Sequence, residues 1–498
     1  MEAIHKASFL STQSIAVGLL VLVFIAVISA LASIQHPPFP SKSPPRLSGL
    51  PLLGRIDTLT KPWEMFQRGV SASRTGNFSF NLGQYQAVGV SSATARDTFF
   101  THPQLAPGAG YGVIFGEGQD DALRAKNEKI ALQKMKGIMT TERLRRAIPT
   151  MMADVNARLD ELGSSGTRNP FKVIQKIVFQ LTIRMVGADE IADDPKLRAQ
   201  VLDVVEVTDN GHALATFLFP WLPLPAVLRK MWSSITMYRI IRRVARERER
   251  TGRRGEDTLQ YLLDMGDSIQ TIVEFTFGGL FAGLGNSGGT AAWLLCHLAA
   301  HPEWMAKVRA EIVQLGAKYA PIQDRQATVT KQLLSVPLEA WETELPILEL
   351  CVRESLRMYL QAPMMRKNMS SEQIIIDGDE VVSPGAVMLF YTGAVMMNPG
   401  IYKDPHVWDP TRFYPDRAED KSGQHVYVGW GCGKHPCRGM RFAKLEQSII
   451  AAFFVTRFEY DLLDSTGQKV DSTAPPQPGP RGFQITKQPD FALKYKAV

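Results

Sequence analysis

The stretch VGWGCGKHPCRGMRFA, from Val428 to Ala443, sets Cys432 and Cys437 among four glycines, directly ahead of an apolar, helix-like segment. Three chemistries use such a loop. A zinc site needs about four ligands. Cys432, His435, Cys437 and the distant His425 supply candidates, but the second ligand pair usual in zinc modules is missing. A Cys432–Cys437 disulfide is geometrically possible and unexpected in a reducing compartment. The third reading is a cofactor loop in which one sulfur matters. A haem thiolate needs protection by backbone N–H groups and a helix N-terminus. It also needs side-chain-free backbone against the ring, which Gly431, Gly433 and Gly439 allow.

The rest of the chain bounds the setting. Its 498 residues, 45% hydrophobic, suffice for a large core. Four cysteines (Cys296, Cys351, Cys432, Cys437) are too few for a disulfide scaffold. The net charge of +7 suits a membrane surface or an acidic protein partner and does not demand nucleic acid. Ile15 to Ile34 form a 20-residue run without charge, long enough at roughly 30 Å to cross a bilayer. The rival is a cleaved signal peptide, with Ala30-Leu31-Ala32 as its small-residue site. Signal cores are shorter, however, at roughly 7 to 15 residues. The five prolines of HPPFPSKSPPR (His36 to Arg46) then read as a stiff spacer. Lys42, Arg46 and Arg55 follow the run, which orients the large C-terminal part toward the cytosol. The expected organisation is a short lumenal N-terminus (1–14), an anchor (15–34), a proline-rich hinge (35–47) and one catalytic domain (48–498).

Helical periodicity dominates beyond the hinge, over Arg145 to Leu162, Pro170 to Val186, Ile269 to Ala300, Pro302 to Leu315 and Leu345 to Tyr359. Strand-like runs are short: Phe78 to Leu82, Gln373 to Ile376, Val387 to Phe390, and pieces near Phe483 to Thr486 and Phe491 to Lys496. The fold class is mainly α with small peripheral sheets. The basic run Arg239 to Arg254 reads as a solvated helix with Glu247 and Glu249 interleaved. Phe217 to Trp232, apolar with three prolines, reads as a loop dipping into a membrane surface. In Phe275 to Leu295, glycine crowds the segment Gly278 to Gly289, each residue costing a helix roughly 1 kcal/mol relative to alanine. A helix tolerates this where a flat partner lies against its backbone, or where its hydrogen bonding is locally opened. Ordinary bundle packing is the plainer alternative.

Here WGCGKHPCRGMRFA resembles the haem loop of the cytochrome P450 family, F-G-x-G-x-[RH]-x-C-x-G-x-x-x-A. Gly431, Gly433, Gly439 and Ala443 match, and Trp430 replaces the usual phenylalanine. The resemblance makes Cys437 the iron ligand and leaves Cys432 at a variable position. His435 falls where the family contacts a haem propionate. The family's Glu-x-x-Arg matches Glu354 and Arg357, and Pro-x-Arg-Phe matches Pro410, Arg412 and Phe413. Spacing i to i+3 puts Glu354 and Arg357 on one helix face, where Arg412 can complete a structural triad. Arg366 matches a second propionate contact. The Trp-x-x-x-Arg of an early helix is absent; Lys134 is the nearest candidate for that role, with Lys129 and Lys136 as alternatives.

The family pattern breaks at one place. A-G-x-[DE]-T-[ST], the acid–alcohol pair that relays protons, reads here Ala282-Gly283-Leu284-Gly285-Asn286-Ser287. Ser287 keeps a hydroxyl, but one residue along a helix is about 100° round its axis. Asn286 can still hold a water or a substrate oxygen. Asn286 and Ser287 are therefore expected to border the oxygen site, with the Ala282–Gly283 backbone leaving room for it. Phe281, Leu284, Ala362 and Met364 are the expected substrate contacts.

The resemblance implies a membrane-anchored, fungal-type haem-thiolate monooxygenase of hydrophobic small molecules in secondary-metabolite biosynthesis. It implies haem b, dioxygen and NADPH-derived electrons. The electrons would come from a separate cytochrome P450 reductase, with cytochrome b5 as a second donor, because no flavin segment follows Val498. Arg438, Arg441 and Lys444 are expected to belong to the docking face. The implied location is the endoplasmic reticulum membrane, single-pass, with the catalytic domain cytosolic and no nucleic-acid partner. An isomerase, dehydratase or oxidative-coupling enzyme on the same fold would need no relay, and a non-catalytic membrane-anchored protein would bind no haem.

Overall fold

In the computed structural model the described residues are 36–114, 121–209, 225–483 and 489–498, with the isolated positions 17, 21 and 217. The expected anchor therefore lies outside the described residues, apart from positions 17 and 21, as do residues 218–224 of the expected membrane loop and the strand expected over 484–486. Among the described residues no helix is long and apolar enough to cross a membrane.

Helices build the body. They are α1 (Pro62–Ser71), α2 (Ala93–Thr101), α3 (Asp121–Ile138), α4 (Thr141–Asp160), α5 (Pro170–Val186), α6 (Pro195–Asp209), α7 (Pro225–Thr251), α8 (Ile269–Gly283), α9 (Gly289–Ala300), α10 (Pro302–Tyr319), α11 (Pro346–Tyr359) and α12 (Met440–Arg457). Shorter helical turns connect them. The largest core cluster lies between α4, α5, α8, α9, α11 and α12, with Ile177, Leu280, Leu294, Val352 and Ile449 among its members. Local signals set the ends. Asn169 caps α5, its side chain accepting from the Lys172 N–H, and Pro170 takes the first helical position. Ser268 caps α8 in the same way through Thr271.

The strands are β1 (Phe78–Leu82), β2 (Tyr85–Gly89), β3 (Leu105–Ala106), β4 (Ser165–Arg168), β5 (Pro363–Asn368), β6 (Ile374–Asp377), β7 (Glu380–Val382), β8 (Val387–Tyr391), β9 (Phe458–Leu463) and β10 (Ala492–Ala497). They form three small sheets, ordered β1-β2-β8-β5-β3, β4-β10-β9 and β6-β7. β2 and β8 pair in parallel, while β5 runs antiparallel to β8 and brings Met364 opposite Phe390. That sheet carries one wall of the site.

Three expectations change in the structure. The proline-rich hinge, where described, is docked on the sheet: Leu47 N–H donates to Ser79 O at 2.7 Å, and the Gln86 amide donates to the Pro37 and Pro38 carbonyls at 2.9 Å. The basic run Arg239 to Arg254 is helical over most of its length, but Arg248 is buried. It donates to Glu190 at 2.9 Å and to Asp257 at 2.9 Å. A guanidinium drawn between two carboxylates leaves the solvated face. Finally, residues 225–232 open α7 where a loop was expected, and Leu228, Met231, Trp232 and Ile235 point outward along it.

Candidate active site

The cysteine loop is shaped by its glycines. Gly431 and Gly433 sit at φ +64° and +63°, a region that side chains other than glycine rarely adopt. A Cβ on Gly433 would run into the Phe100 carbonyl, and one on Gly431 would meet His435 O at 2.9 Å. The Cys437 N–H donates to Trp430 O at 2.7 Å, closing the loop just ahead of α12. Burial pushes the Cys437 thiol up, and the nearby Gly439 backbone amide acts against that push.

Cys437 and Cys432 part company. Both are free. Cys432 packs against the sheet's apolar cluster beside Phe100 and Val428. Cys437 lines a cavity of about 450 Å³, together with Trp430, Gly431, His435, Gly439 and Ala443. Its accessible surface faces that cavity. Among the described residues no three His, Cys, Asp or Glu side chains form a metal cluster.

The triad expected from the sequence is assembled. Arg357 donates to both oxygens of Glu354, at 2.7 and 2.8 Å, and Arg412 donates to Glu354 Oε1 at 3.1 Å. All three are within 1% of complete burial. The spare donors are satisfied too. Arg357 reaches the Met396 and Pro405 carbonyls, and Arg412 reaches Glu419 and the Asp404 and Val407 carbonyls. These contacts pin α11 to the segment preceding the cysteine loop.

On the opposite wall the glycine-rich helix opens. Leu284–Gly288 is a π turn between α8 and α9. Tyr359 Oη donates to the Gly285 carbonyl at 2.9 Å, and Thr290 Oγ1 to the Asn286 carbonyl at 2.8 Å. Such π turns are common at functional sites. Ala282, Gly283, Asn286 and Ser287 all line the cavity. The Asn286 amide donates to Ala282 O at 3.0 Å, and its oxygen accepts from Arg481 at 3.4 Å.

Ala362 and Met364 line the cavity, whereas Phe281 and Leu284 are not among its lining residues. Leu284 is buried in the main core, because helix rotation turns it away from Ala282 and Asn286. Lys134 also faces elsewhere: its ammonium pairs with Asp267 at 2.6 Å. The nearby Met135, on α3, and Met139, just past its end, line the cavity instead. Of the expected docking residues, Arg441 and Lys444 are ion-paired with Glu342 and Glu349, while Arg438 lines the cavity. Thr182, Tyr111, Val186 and Gln447 also line it and were not expected. The threonine, within the apolar run of α5, was the one visible signal.

The residues present fit a haem. Arg366 is 1% exposed, lies over the Phe99 and Phe100 rings at 4.7 and 5.3 Å, and donates to the Phe99 carbonyl. Among the described residues no carboxylate pairs with it, and burial brings its guanidinium down to about 10. The Glu128 carboxylate acts on it only through space, and a buried cation without a paired anion is costly unless a ligand supplies one. His435 is held down at about 4 by burial, then by the Arg366 and Arg438 charges. Gly439 gives a second sign: it lines the cavity at φ −92°, and a Cβ there would meet no protein atom within 4 Å. The space a side chain would take there is open to the cavity.

The family model described as Cytochrome P450 matches residues 85–483. Cytochrome P450 monooxygenase AacuE of Aspergillus aculeatus is 34% identical over 86% of this chain and 89% of its own length. Cytochrome P450 monooxygenase nsrP of Aspergillus novofumigatus is 33% identical over 89% of each chain. Among solved structures, the retinoic-acid-bound cyanobacterial CYP120A1 is similar in fold, with a TM-score of 0.69 at 18% identity, covering 92% of this chain and 99% of that one.

Proposed function

The chain belongs to the cytochrome P450 family, and from that premise we infer that it is a haem-thiolate monooxygenase of hydrophobic small molecules in fungal-type secondary-metabolite biosynthesis. The single observation that carries this reading is Cys437, which lines a cavity faced on its other wall by an opened, glycine-rich helix. A haem held by such a thiolate would supply oxygen activation. Cys437 would hold the haem iron through its sulfur, and Arg366 and His435 would meet the propionates. Trp430, Gly431, Gly433, Gly439 and Ala443 would frame the ring.

The remaining residues do positioning work. The Gly439 backbone amide partly offsets the upward push of burial on the Cys437 thiol. The Glu354–Arg357–Arg412 lock fixes the loop against α11. Ala362, Met364, Met135, Met139 and Val186 supply an apolar wall for substrate. Asn286, held by Arg481, offers its remaining amide hydrogen to the cavity. Haem b, NADPH-derived electrons, a separate reductase with cytochrome b5 as a second donor, and a single-pass endoplasmic reticulum anchor over 15–34 belong to the same reading. The exposed Leu228, Met231, Trp232 and Ile235 support a membrane-facing side, since outward apolar residues on a basic helix suit an interface.

The test is oxygen consumption and product formation with and without reductase and NADPH. A monooxygenase turns over only with both. Turnover without them would instead support an isomerase or dehydratase on the same fold.

A further inference from the structure

A second buried cation stands beside the cavity, outside every motif recognised in the sequence. Arg481 is 8% exposed, and among the described residues no carboxylate pairs with it. Its backbone is fixed from both sides. The Arg481 N–H donates to Gln361 O at 2.7 Å, and the Arg481 carbonyl accepts from Tyr391 Oη at 2.9 Å. The guanidinium lies over the Tyr359 ring at 4.4 Å and donates from Nη1 to Asn286 Oδ1 at 3.4 Å. Its Nε–H is buried without a partner. A desolvated cation of this kind is costly unless an anion or a strong acceptor completes it.

Asn286 carries that charge to the cavity wall. Its oxygen faces Arg481, and one amide hydrogen goes to Ala282 O at 3.0 Å. The second hydrogen is left for the cavity, so the side chain presents a donor there. Among the described residues no Asp or Glu lines the cavity; Glu446, on α12, is buried outside the lining. The basic side chains that do line it, His435 and Arg438, belong to the cysteine loop. A donor backed by a buried cation, in a cavity without acids, favours an oxygen that carries or readily gains negative charge.

Resting on the monooxygenase reading above, we propose that Arg481 and Asn286 select a substrate bearing an acidic oxygen, that of a carboxylate, an enol or a phenol, and hold that oxygen at the π turn. Asn286 makes the contact. Arg481 is the positioning residue: it fixes which way the amide points and lends its charge to the donor. The substrate is then a hydrophobic body with one acidic group. That group docks against the π turn, and the apolar part packs on Met135, Met139, Val186 and Met364. An anchor at one end of the molecule limits which of its carbons can approach the cysteine loop.

The test measures binding by calorimetry on the full-length holoenzyme with two matched pairs of probes: ibuprofen with its methyl ester, and thymol with its methyl ether. In at least one pair the acidic member should bind about 10- to 100-fold tighter, the range of a hydrogen bond to a charged group. The pair that shows the preference names the source of the oxygen. Arg481→Gln and Asn286→Leu should each bring that ratio close to unity, and Arg481→Lys should recover part of it. The neutral probe is the internal control, since a packing defect weakens both members of a pair and leaves their ratio unchanged. If Arg481→Gln fails to fold, Asn286→Leu carries the test. Each protein is first checked for the reduced carbon-monoxide thiolate band. Its absence from the parent would sink the monooxygenase reading and the proposal with it. With the band present, equal affinities within both pairs, or a ratio that survives in both variants, would overturn the proposal alone.

Discussion

Tyr359 Oη donates a hydrogen bond to the Gly285 carbonyl at 2.9 Å, across the interface between α11 and the π turn. This bond takes up a carbonyl at the point where the helix opens. Gly289 lies against the same tyrosine so closely that a Cβ there would overlap the ring hydroxyl. Tyr359→Phe should therefore cost about 1–3 kcal/mol, the penalty of a buried acceptor left alone, read as a lower midpoint in urea unfolding. Gly289→Ala should destabilise more, and adding Tyr359→Phe to it should relieve part of that loss.

Glu354 holds two guanidinium groups with all three side chains buried. Glu354→Gln leaves both positive charges under-compensated. Breaking such a set typically costs about 3–5 kcal/mol. Denaturant unfolding should show a loss of that order, accompanied by poorer haem retention, although Glu354 does not line the cavity.

Arg366 separates stability from cofactor binding. In the haem-free protein it is a buried cation without a carboxylate partner among the described residues. Arg366→Met should leave the haem-free chain as stable or more stable, by about 1 kcal/mol from relieved desolvation. The same change should weaken haem retention about tenfold or more, measured by transfer of haem to an acceptor protein. A loss of both would make Arg366 a packing residue only.

Glu446 gives stability a pH slope. Its folded carboxyl titrates at about 8 against an ordinary 4.5. The folded state thus binds this proton more tightly than the unfolded chain does. Its contribution is complete below the unfolded value and is lost as pH rises through about 8. Unfolding free energy should decline over that window, and Glu446→Gln should flatten the decline.

Much of this architecture is legible in the residues, and its failures share a cause. Cys437, the Glu354–Arg357–Arg412 lock and the opened glycine helix follow from backbone requirements: left-handed loop positions, i to i+3 spacing, and a glycine density ordinary helices avoid. Lys134, Phe281 and Leu284 were misplaced because facing depends on helix rotation, which tertiary packing sets. The cavity lining falls to Met135 on α3 and Met139 just past it, and the lysine is drawn to Asp267 on a distant segment. Arg441 and Lys444 were expected to be available, but Glu342 and Glu349 come from remote parts of the chain. β5, with the sequence PMMRKN, shows no alternation because both its faces are largely buried. Glu446 carried no signal either: a glutamate on an amphipathic helix looks exposed until its neighbours are known.

The central claim is that Cys437, and not Cys432, holds a haem iron as its thiolate. The direct measurement is the reduced carbon-monoxide difference spectrum of the purified protein and of its two cysteine variants. A red-shifted thiolate band is expected in the parent chain and in Cys432→Ala, and no such band in Cys437→Ala. Its absence from the parent, or its survival in Cys437→Ala, would contradict the account.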